Sequence, residues 1–528
     1  MPLSQSVGSG EGEAPRHRKP ARRRRYPPQM SAPRLAIAAG NALGTEAAIG
    51  VARQGGNAVD ACLASAIMGW VAEPFFTSIG GSGFITIRTP DDHVEVIDGN
   101  NIMPFTIPET PGQGVRRIFL PDYADGIYMG IAAGSVAVPG VLAAVRTAWE
   151  RHGKIEWEAL FVDAIAAGRN GFPFPRTSDY YLSCTLDTIW STYPEARALF
   201  ARGDDQIHEN EVFKQPELAE ALEMIASKGP EVFYEGELGH EIADAIAADG
   251  GFMTIGDLSG YRAEIRSPIS TNAFGWTVYS NPPPAVGGAV LIHMLALLEH
   301  ADLSDEVERL RSIVEAQRAS VGYRKERYQD PDGVAAAFTE ALKELSSRAP
   351  RSPDTTHMSA ADSDGYVCSL TESNGYGAGL VVHGMLLNNT LGEEELNPLG
   401  AHRLPPGSRC HSNMTPTVAR GDGTTLGLGS PGADRIVGAI AQTFIRIAVD
   451  GASIEEAVRA PRAHLDPRPE GEKLCYEPGL PGDQLGYAPR PYDDLHMYFG
   501  AVQTVAVTDD GELQAAHDPR RSGGSALV

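Results

Sequence analysis

The chain has 528 residues, 42% hydrophobic and 21% charged, the composition of a soluble globular protein long enough to bury a large core. A formal net charge of -24 argues against nucleic acid or an anionic membrane as partner, since neither is attracted to such a surface. No run approaches the roughly 18 consecutive apolar residues of a membrane-spanning helix. The five cysteines, Cys62, Cys184, Cys368, Cys410 and Cys475, are scattered and form no CxxC pair. They predict neither a disulfide framework nor a zinc site, and they suit a reduced, cytoplasmic setting. No metal-binding or nucleotide-binding spacing is present, so no cofactor is expected.

In chain order, residues 1–33 run against the net charge, with Arg22, Arg23, Arg24 and Arg25 in a row. An export signal needs an apolar segment after such charges, but Tyr26, Pro27 and Pro28 follow. The segment reads as a disordered basic tail, or as sequence upstream of a start at Met30. Residues 34–38 read as a strand and 45–54 as a helix stopped by Gly55 and Gly56. Asn57 is placed to cap a second helix, in which Val59, Cys62, Leu63, Ala66 and Ile67 recur at helical spacing. A glycine turn at 79–83 leads into strands at 84–88 and 93–98, and a loop at 134–140 leads into a helix. Residues 211–298 read as mostly helical, broken by a strand at 277–280 and by Pro282, Pro283 and Pro284. A helix is expected at 306–328 and a loop at 346–353. Strands then follow at 355–361, 367–371, 380–382, 417–419 and 425–428, with a helix at 436–447.

The chemistry concentrates where the 346–353 loop meets a strand, at Asp354-Thr355-Thr356-His357. A hydroxyl is a weak nucleophile at neutral pH and needs an adjacent base. A threonine at a newly made N-terminus brings its own, an α-amine with a pKa near ~7.7–8. That solution requires the chain to be cut between Asp354 and Thr355. By itself the segment reads more readily as the start of an ordinary strand.

Other segments, in order along the chain, carry a resemblance that decides between the two. They are Gly55-Gly56-Asn57-Ala58-Val59-Asp60-Ala61, Glu73-Pro74, Gly80-Gly81-Ser82-Gly83-Phe84, Val138-Pro139-Gly140 and Pro283-Pro284-Ala285-Val286-Gly287-Gly288. After Thr355 come Leu387-Asn388-Asn389, Met414-Thr415-Pro416-Thr417, Gly429-Ser430-Pro431-Gly432 and Asp518-Pro519-Arg520. In this series, from about residue 34 to the C-terminus, the chain resembles the γ-glutamyltranspeptidase family of N-terminal-nucleophile hydrolases.

The resemblance implies an α+β fold, a four-layer αββα sandwich built from one self-cleaved precursor. Its large chain is 34–354 and its small chain 355–528, held together as one intertwined unit, a heterodimer of the protein's own cleavage products. Thr355 is then the nucleophile, and Ser373 keeps the second hydroxyl of the family's TxT pair, here Thr371-Glu372-Ser373. Gly432 and Ala433 match the backbone oxyanion hole. Asn374, Glu393, Ser412 and Asn413 match donor contacts, and Thr371 is grouped with them. His357 is expected to be structural, and His411 either contacts substrate or packs.

The pattern breaks at Asn100, which stands where γ-glutamyl-specific members carry a carboxylate-gripping arginine. Thr390 also replaces the family's Gln or Glu, and residues 396–406 replace a longer lid. Arg409 and Arg435 are candidate substitute cations, with structural ion pairs as the simpler role. The resemblance thus implies a self-processing amidohydrolase or acyltransferase that forms an acyl-enzyme on Thr355 with a γ-glutamyl-like small-molecule amide. The alternatives are a hydrolase of a C–C bond beside a keto group, acting on a keto acid in an antibiotic pathway, and a non-catalytic paralogue.

Overall fold

A computed structural model describes residues 33–327 and 355–528, apart from 122, 124, 125, 398 and 468–470. The 1–32 segment, the 346–353 loop and Asp354 lie outside the described residues.

Two antiparallel sheets form the centre. The seven-stranded sheet runs in the order Glu264–Arg266, Val94–Gly99, Ser82–Arg88, Val367–Ser373, Thr356–Asp362, Leu35–Ala39 and Gly524–Leu527. The six-stranded sheet runs Ile269–Ala273, Trp276–Ser280, Thr417–Gly421, Thr424–Gly429, Gln503–Thr508 and Leu513–Ala516. Each sheet therefore contains strands from both sides of the expected cut. The strand after the cut, Thr356–Asp362, lies between Leu35–Ala39 and Val367–Ser373.

The sheets meet through small and β-branched residues. Ala36, Ala38, Ala361 and Val367 pack on Val418, Val505, Val507 and Leu513. Two side-chain bonds tie the layers, Thr86 to the Pro416 carbonyl (3.0 Å) and Ser369 to the Leu428 carbonyl (3.1 Å). Helices cover both outer faces, Ala42–Arg53, Ala58–Ala72 and Val141–His152 on one and Val286–Leu298 with Ile436–Ala448 on the other. This is the expected four-layer αββα arrangement.

Local chemistry sets the helix starts. The Asn41 side chain accepts from the Gly44 N–H at 2.7 Å, so the first helix begins earlier than residue 45. Asn57 and Asp60 form a reciprocal capping box. Every residue of the helix that follows, Ala58–Ala72, is buried, and such a helix shows little amphipathic pattern.

The expectation for 211–298 needs correction. Helices Pro216–Lys228, Glu237–Ala248 and Val286–Leu298 are present, but Glu264–Arg266 and Ile269–Ala273 are strands in different sheets. Ile269–Ala273 turns back onto Trp276–Ser280 through Phe274 (φ 55°) and Gly275 (φ 80°). Both turn residues have positive φ, as a tight right-twisted hairpin demands, but Phe-Gly is not a common signature for it. The strand expected at 380–382 shrinks to Val381–Val382, half of a small hairpin. The last strands of the two central sheets, Gln503–Thr508, Leu513–Ala516 and Gly524–Leu527, are absent from the sequence expectations. Gly524–Leu527 has little β-propensity and is fixed at the sheet edge by backbone pairing with Leu35–Ala39. Among the described residues, no helix is long and apolar enough to cross a membrane.

Candidate active site

Register places Thr355, the candidate nucleophile. Thr356 pairs with Glu372 and His357 with Thr371, so one step further along, Thr355 stands opposite Ser373. Thr355 Oγ1 donates to Ser373 Oγ at 3.4 Å, and Ser373 Oγ accepts from the Gly375 N–H at 3.1 Å. The hydroxyl contact is longer than a strong O–H···O bond, as is common before substrate binds.

Because side chains alternate along strands, Thr356 and Glu372 point to the opposite face. Thr356 donates to Glu73 at 2.8 Å, and Asn41 donates to the same carboxylate at 2.7 Å. Arg521 lies 3.9 Å from Glu73 and donates to the Thr355 carbonyl at 2.6 Å. Glu73 of the Glu73-Pro74 motif thus anchors the start of the strand that follows Thr355.

Glu372 is fully buried and accepts from the Trp70 indole at 2.8 Å. Burial pushes its carboxyl well above the usual range, with the Glu73 charge adding to the shift. A raised folded pKa means the protonated acid is the form compatible with folding. Its contribution to stability is complete below about pH 4.5, the ordinary glutamate range, and is lost as pH rises toward the folded value. Glu372→Gln, which is neutral at every pH, is expected to remove that loss, which amounts to about 1.4 kcal/mol per pH unit while it lasts. Urea unfolding of both proteins at pH 5, 7 and 8.5 checks this. Two curves that stay parallel across that range would refute it.

His357 is buried, bonded to Thr371 Oγ1 and Ser359 Oγ at 2.8 Å each. Burial pulls its pKa down to about 3, so it is a neutral strut, in line with the structural role expected of it. Thr371 is taken up by this contact and lies off the cleft.

An open-mouthed cleft gathers most of the predicted residues. It is lined by Thr355, Ser373, Asn100, Thr390, Glu393, His411, Ser412, Asn413 and Ala433. Asn374 and Gly432 adjoin lining residues without lining it themselves. The Asn374 side chain is fully buried, and among the described residues neither its oxygen nor its nitrogen has a hydrogen-bond partner. Gly432 (φ 123°) and Ala433 (φ 50°) both have positive φ, which for an alanine costs about 1 kcal/mol relative to glycine. With its mouth included the cleft encloses about 440 Å³.

The motifs of the sequence build the walls. Asn388 bonds the carbonyls of Gly80 (2.8 Å) and Ala137 (2.9 Å), and Asn389 bonds that of Gly130 (3.0 Å). They pin the start of the segment bearing Glu393. Gly287 packs so closely on Asn413 that a Cβ would sit 2.2 Å from the Asn413 carbonyl, which accounts for a glycine after the proline-rich turn. Ser412 accepts there too, from the N–H groups of Val286 (2.7 Å) and Gly287 (3.2 Å) through its carbonyl.

Neither candidate cation is among the described residues that line the cleft. Arg409 donates to the Asn100 carbonyl at 2.7 Å and to Tyr261, and it faces Asp98 and Glu264 at 3.8 and 3.5 Å. Arg435 pairs with Asp434 at 2.7 Å and donates to the Tyr498 carbonyl at 2.6 Å. Each thus has an acidic partner among the described residues. Sequence reasoning missed Ser82, Gly375, Glu395, Leu396, Met414 and Ile436 as lining residues. Glu395 lies two residues beyond the expected Glu393, with Glu394 between them turned away to Arg117.

The model of the gamma-glutamyltranspeptidase family matches residues 44–528. A glutathione hydrolase proenzyme of Escherichia coli (strain K12) is 29% identical, over 92% of this chain and 90% of its own. The acylase ACY 1 proenzyme of Pseudomonas sp. (strain SE83) is 28% identical, over 89% of each. Among solved structures, cephalosporin acylase from Bacillus halodurans superposes with a TM-score of 0.79 at 23% identity, covering 96% of this chain and 98% of that one. At that identity the likeness speaks for the fold alone.

Proposed function

The chain belongs to the gamma-glutamyltranspeptidase family, and on that premise we infer that it cuts itself before Thr355 and then works as a threonine-nucleophile amidohydrolase or acyltransferase. The observation that carries this reading is Thr355 opposite Ser373 on adjacent central strands, in a cleft shared with Asn100, Glu393, Ser412 and Asn413. In the precursor the Thr355 hydroxyl attacks the Asp354 carbonyl carbon, and the amide nitrogen leaves as the new α-amine. Water then releases the Asp354 carboxylate. The freed amine, with a pKa near ~7.7–8, takes the hydroxyl proton in each later turnover. The acyl ester on Thr355 is resolved by water or by an amine, and the backbone N–H groups of Gly432 and Ala433 stabilise the oxyanion.

The large chain would end at Asp354 and the small one begin at Thr355, and the interleaving of their strands would keep the two together. A C–C bond hydrolase would use the same nucleophile.

A denaturing gel with N-terminal sequencing tests the reading. Two unequal bands are expected, the smaller beginning at Thr355. A single full-length band that persists through long incubation would overturn it.

A further inference from the structure

Thr355 stands one residue outside its strand. The ladder with Val367–Ser373 begins at the pair Thr356 and Glu372, and the ladder with Leu35–Ala39 begins at Met358. Self-cutting would make Thr355 a chain end at this spot, and chain ends stay ordered only where something ties them down. A nucleophile demands such order, since a misplacement of about 1 Å can cost on the order of 100-fold in rate.

The tie comes from the other end of the chain. Arg521 Nη1 donates to the Thr355 carbonyl at 2.6 Å, which fixes the peptide plane on the C-terminal side of the candidate nucleophile. The buried guanidinium lies 4.7 Å from the centre of the Phe76 ring and faces Glu73 at 3.9 Å. Glu73 in turn accepts from the Thr356 hydroxyl at 2.8 Å. The backbone of one residue and the side chain of the next are thus gripped by two groups that face each other. The fit is close, for a Cβ on Gly40 would lie 2.4 Å from Thr356 Oγ1 and 3.2 Å from Glu73 Oε1. Arg521 also stands on a firm mount. Asp518 in the same turn accepts from the N–H groups of Val502 (2.9 Å) and Arg520 (3.0 Å) and meets Arg462 at 2.7 Å.

We propose that Arg521 is a positioning residue for Thr355, a role that rests on Thr355 being the self-cutting nucleophile. Through the Thr355 carbonyl it holds the hydroxyl opposite Ser373 before cutting, and it keeps the new N-terminus in place afterwards. The competing role is an ion pair with Glu73 that only stabilises the fold.

Three variants separate the two roles: Arg521→Met, Arg521→Lys and the double variant Glu73→Gln/Arg521→Met. Removing Arg521 alone leaves the buried Glu73 carboxylate without that cation and lowers stability. The double variant leaves no such charge behind and should regain much of the loss. Each full chain is followed for the fraction cut before Thr355 over time, with urea unfolding at the same pH. Self-cutting is expected to slow at least about tenfold in Arg521→Met and to stay slow in the double variant despite its regained stability. Arg521→Lys, which keeps a donor, should fall between Arg521→Met and wild type.

The cut proteins are then exposed to an aminopeptidase and the small chain is weighed. Trimming from Thr355 is expected in Arg521→Met and not in wild type. Wild-type cutting in Arg521→Met, or recovery of cutting together with stability in the double variant, overturns the positioning role and leaves the nucleophile standing. Equal resistance to trimming overturns the hold on the new N-terminus. A wild-type chain that never cuts before Thr355 overturns the underlying reading as well. Should Arg521→Met fail to fold, the double variant and Arg521→Lys decide.

Discussion

Thr355→Ala is expected to remain a single uncut chain and to lose roughly three to six orders of magnitude in amide turnover, the scale seen when a covalent nucleophile is removed. Among the described residues, no other group beside Thr355 can replace it. Ser373 is inside the chain, without an α-amine, and its hydroxyl already accepts from Gly375. His357 is buried, neutral and bonded at both ring nitrogens, so it cannot act as base for a substitute nucleophile. Thr355→Ser keeps the hydroxyl and should still mature, more slowly, because serine lacks the methyl group that restricts the side-chain rotamer. Intact mass before and after incubation reads both variants. A Thr355→Ala protein that still divides at this bond would place the cleaving group elsewhere.

Asp518→Ala is expected to destabilise the fold by about 3–5 kcal/mol, the cost of leaving buried cations without their partner. Asp518, Arg520, Glu477 and Arg462 form a charge cluster with essentially no solvent exposure. Arg462 meets Asp518 at 2.7 Å, and Arg520 meets it at 3.0 Å while also binding Glu477. Burial and the neighbouring Arg520 already pull Arg462 down to about 10, so losing Asp518 removes the anion both guanidinium groups share. Asp518 also accepts from the Val502 N–H at 2.9 Å, which alanine cannot replace. The same turn carries Arg521, whose guanidinium holds the Thr355 carbonyl, so slower self-cutting should accompany the lost stability. Urea unfolding and the fraction cut at fixed time measure the two effects. Wild-type stability in Asp518→Ala would show that the cluster is dispensable.

The candidate nucleophile and the class of fold can be read from the chain's local order. Thr355 is legible because a loop-to-strand junction bearing Thr-Thr-His stands amid motifs in a fixed order. Asn57 marks a helix start through chemistry confined to a few residues, and Asn100 is legible as a departure from the same ordered motifs. The strands Ile269–Ala273 and Gly524–Leu527 are not, because they exist through pairing with segments that no local pattern announces. Nor can the sequence say that Thr371 bonds His357, or that Arg409 faces Asp98 and Arg435 pairs with Asp434.

The run Glu393-Glu394-Glu395 shows the division most sharply. Glu393 is legible as a match to a donor contact, whereas folding alone assigns Glu394 to Arg117 and Glu395 to the cleft. Periodicity and capping are written in neighbouring residues, so sequence carries them. The charge a pocket presents depends on which partners each ion finds across the fold, and that is settled only when the layers close.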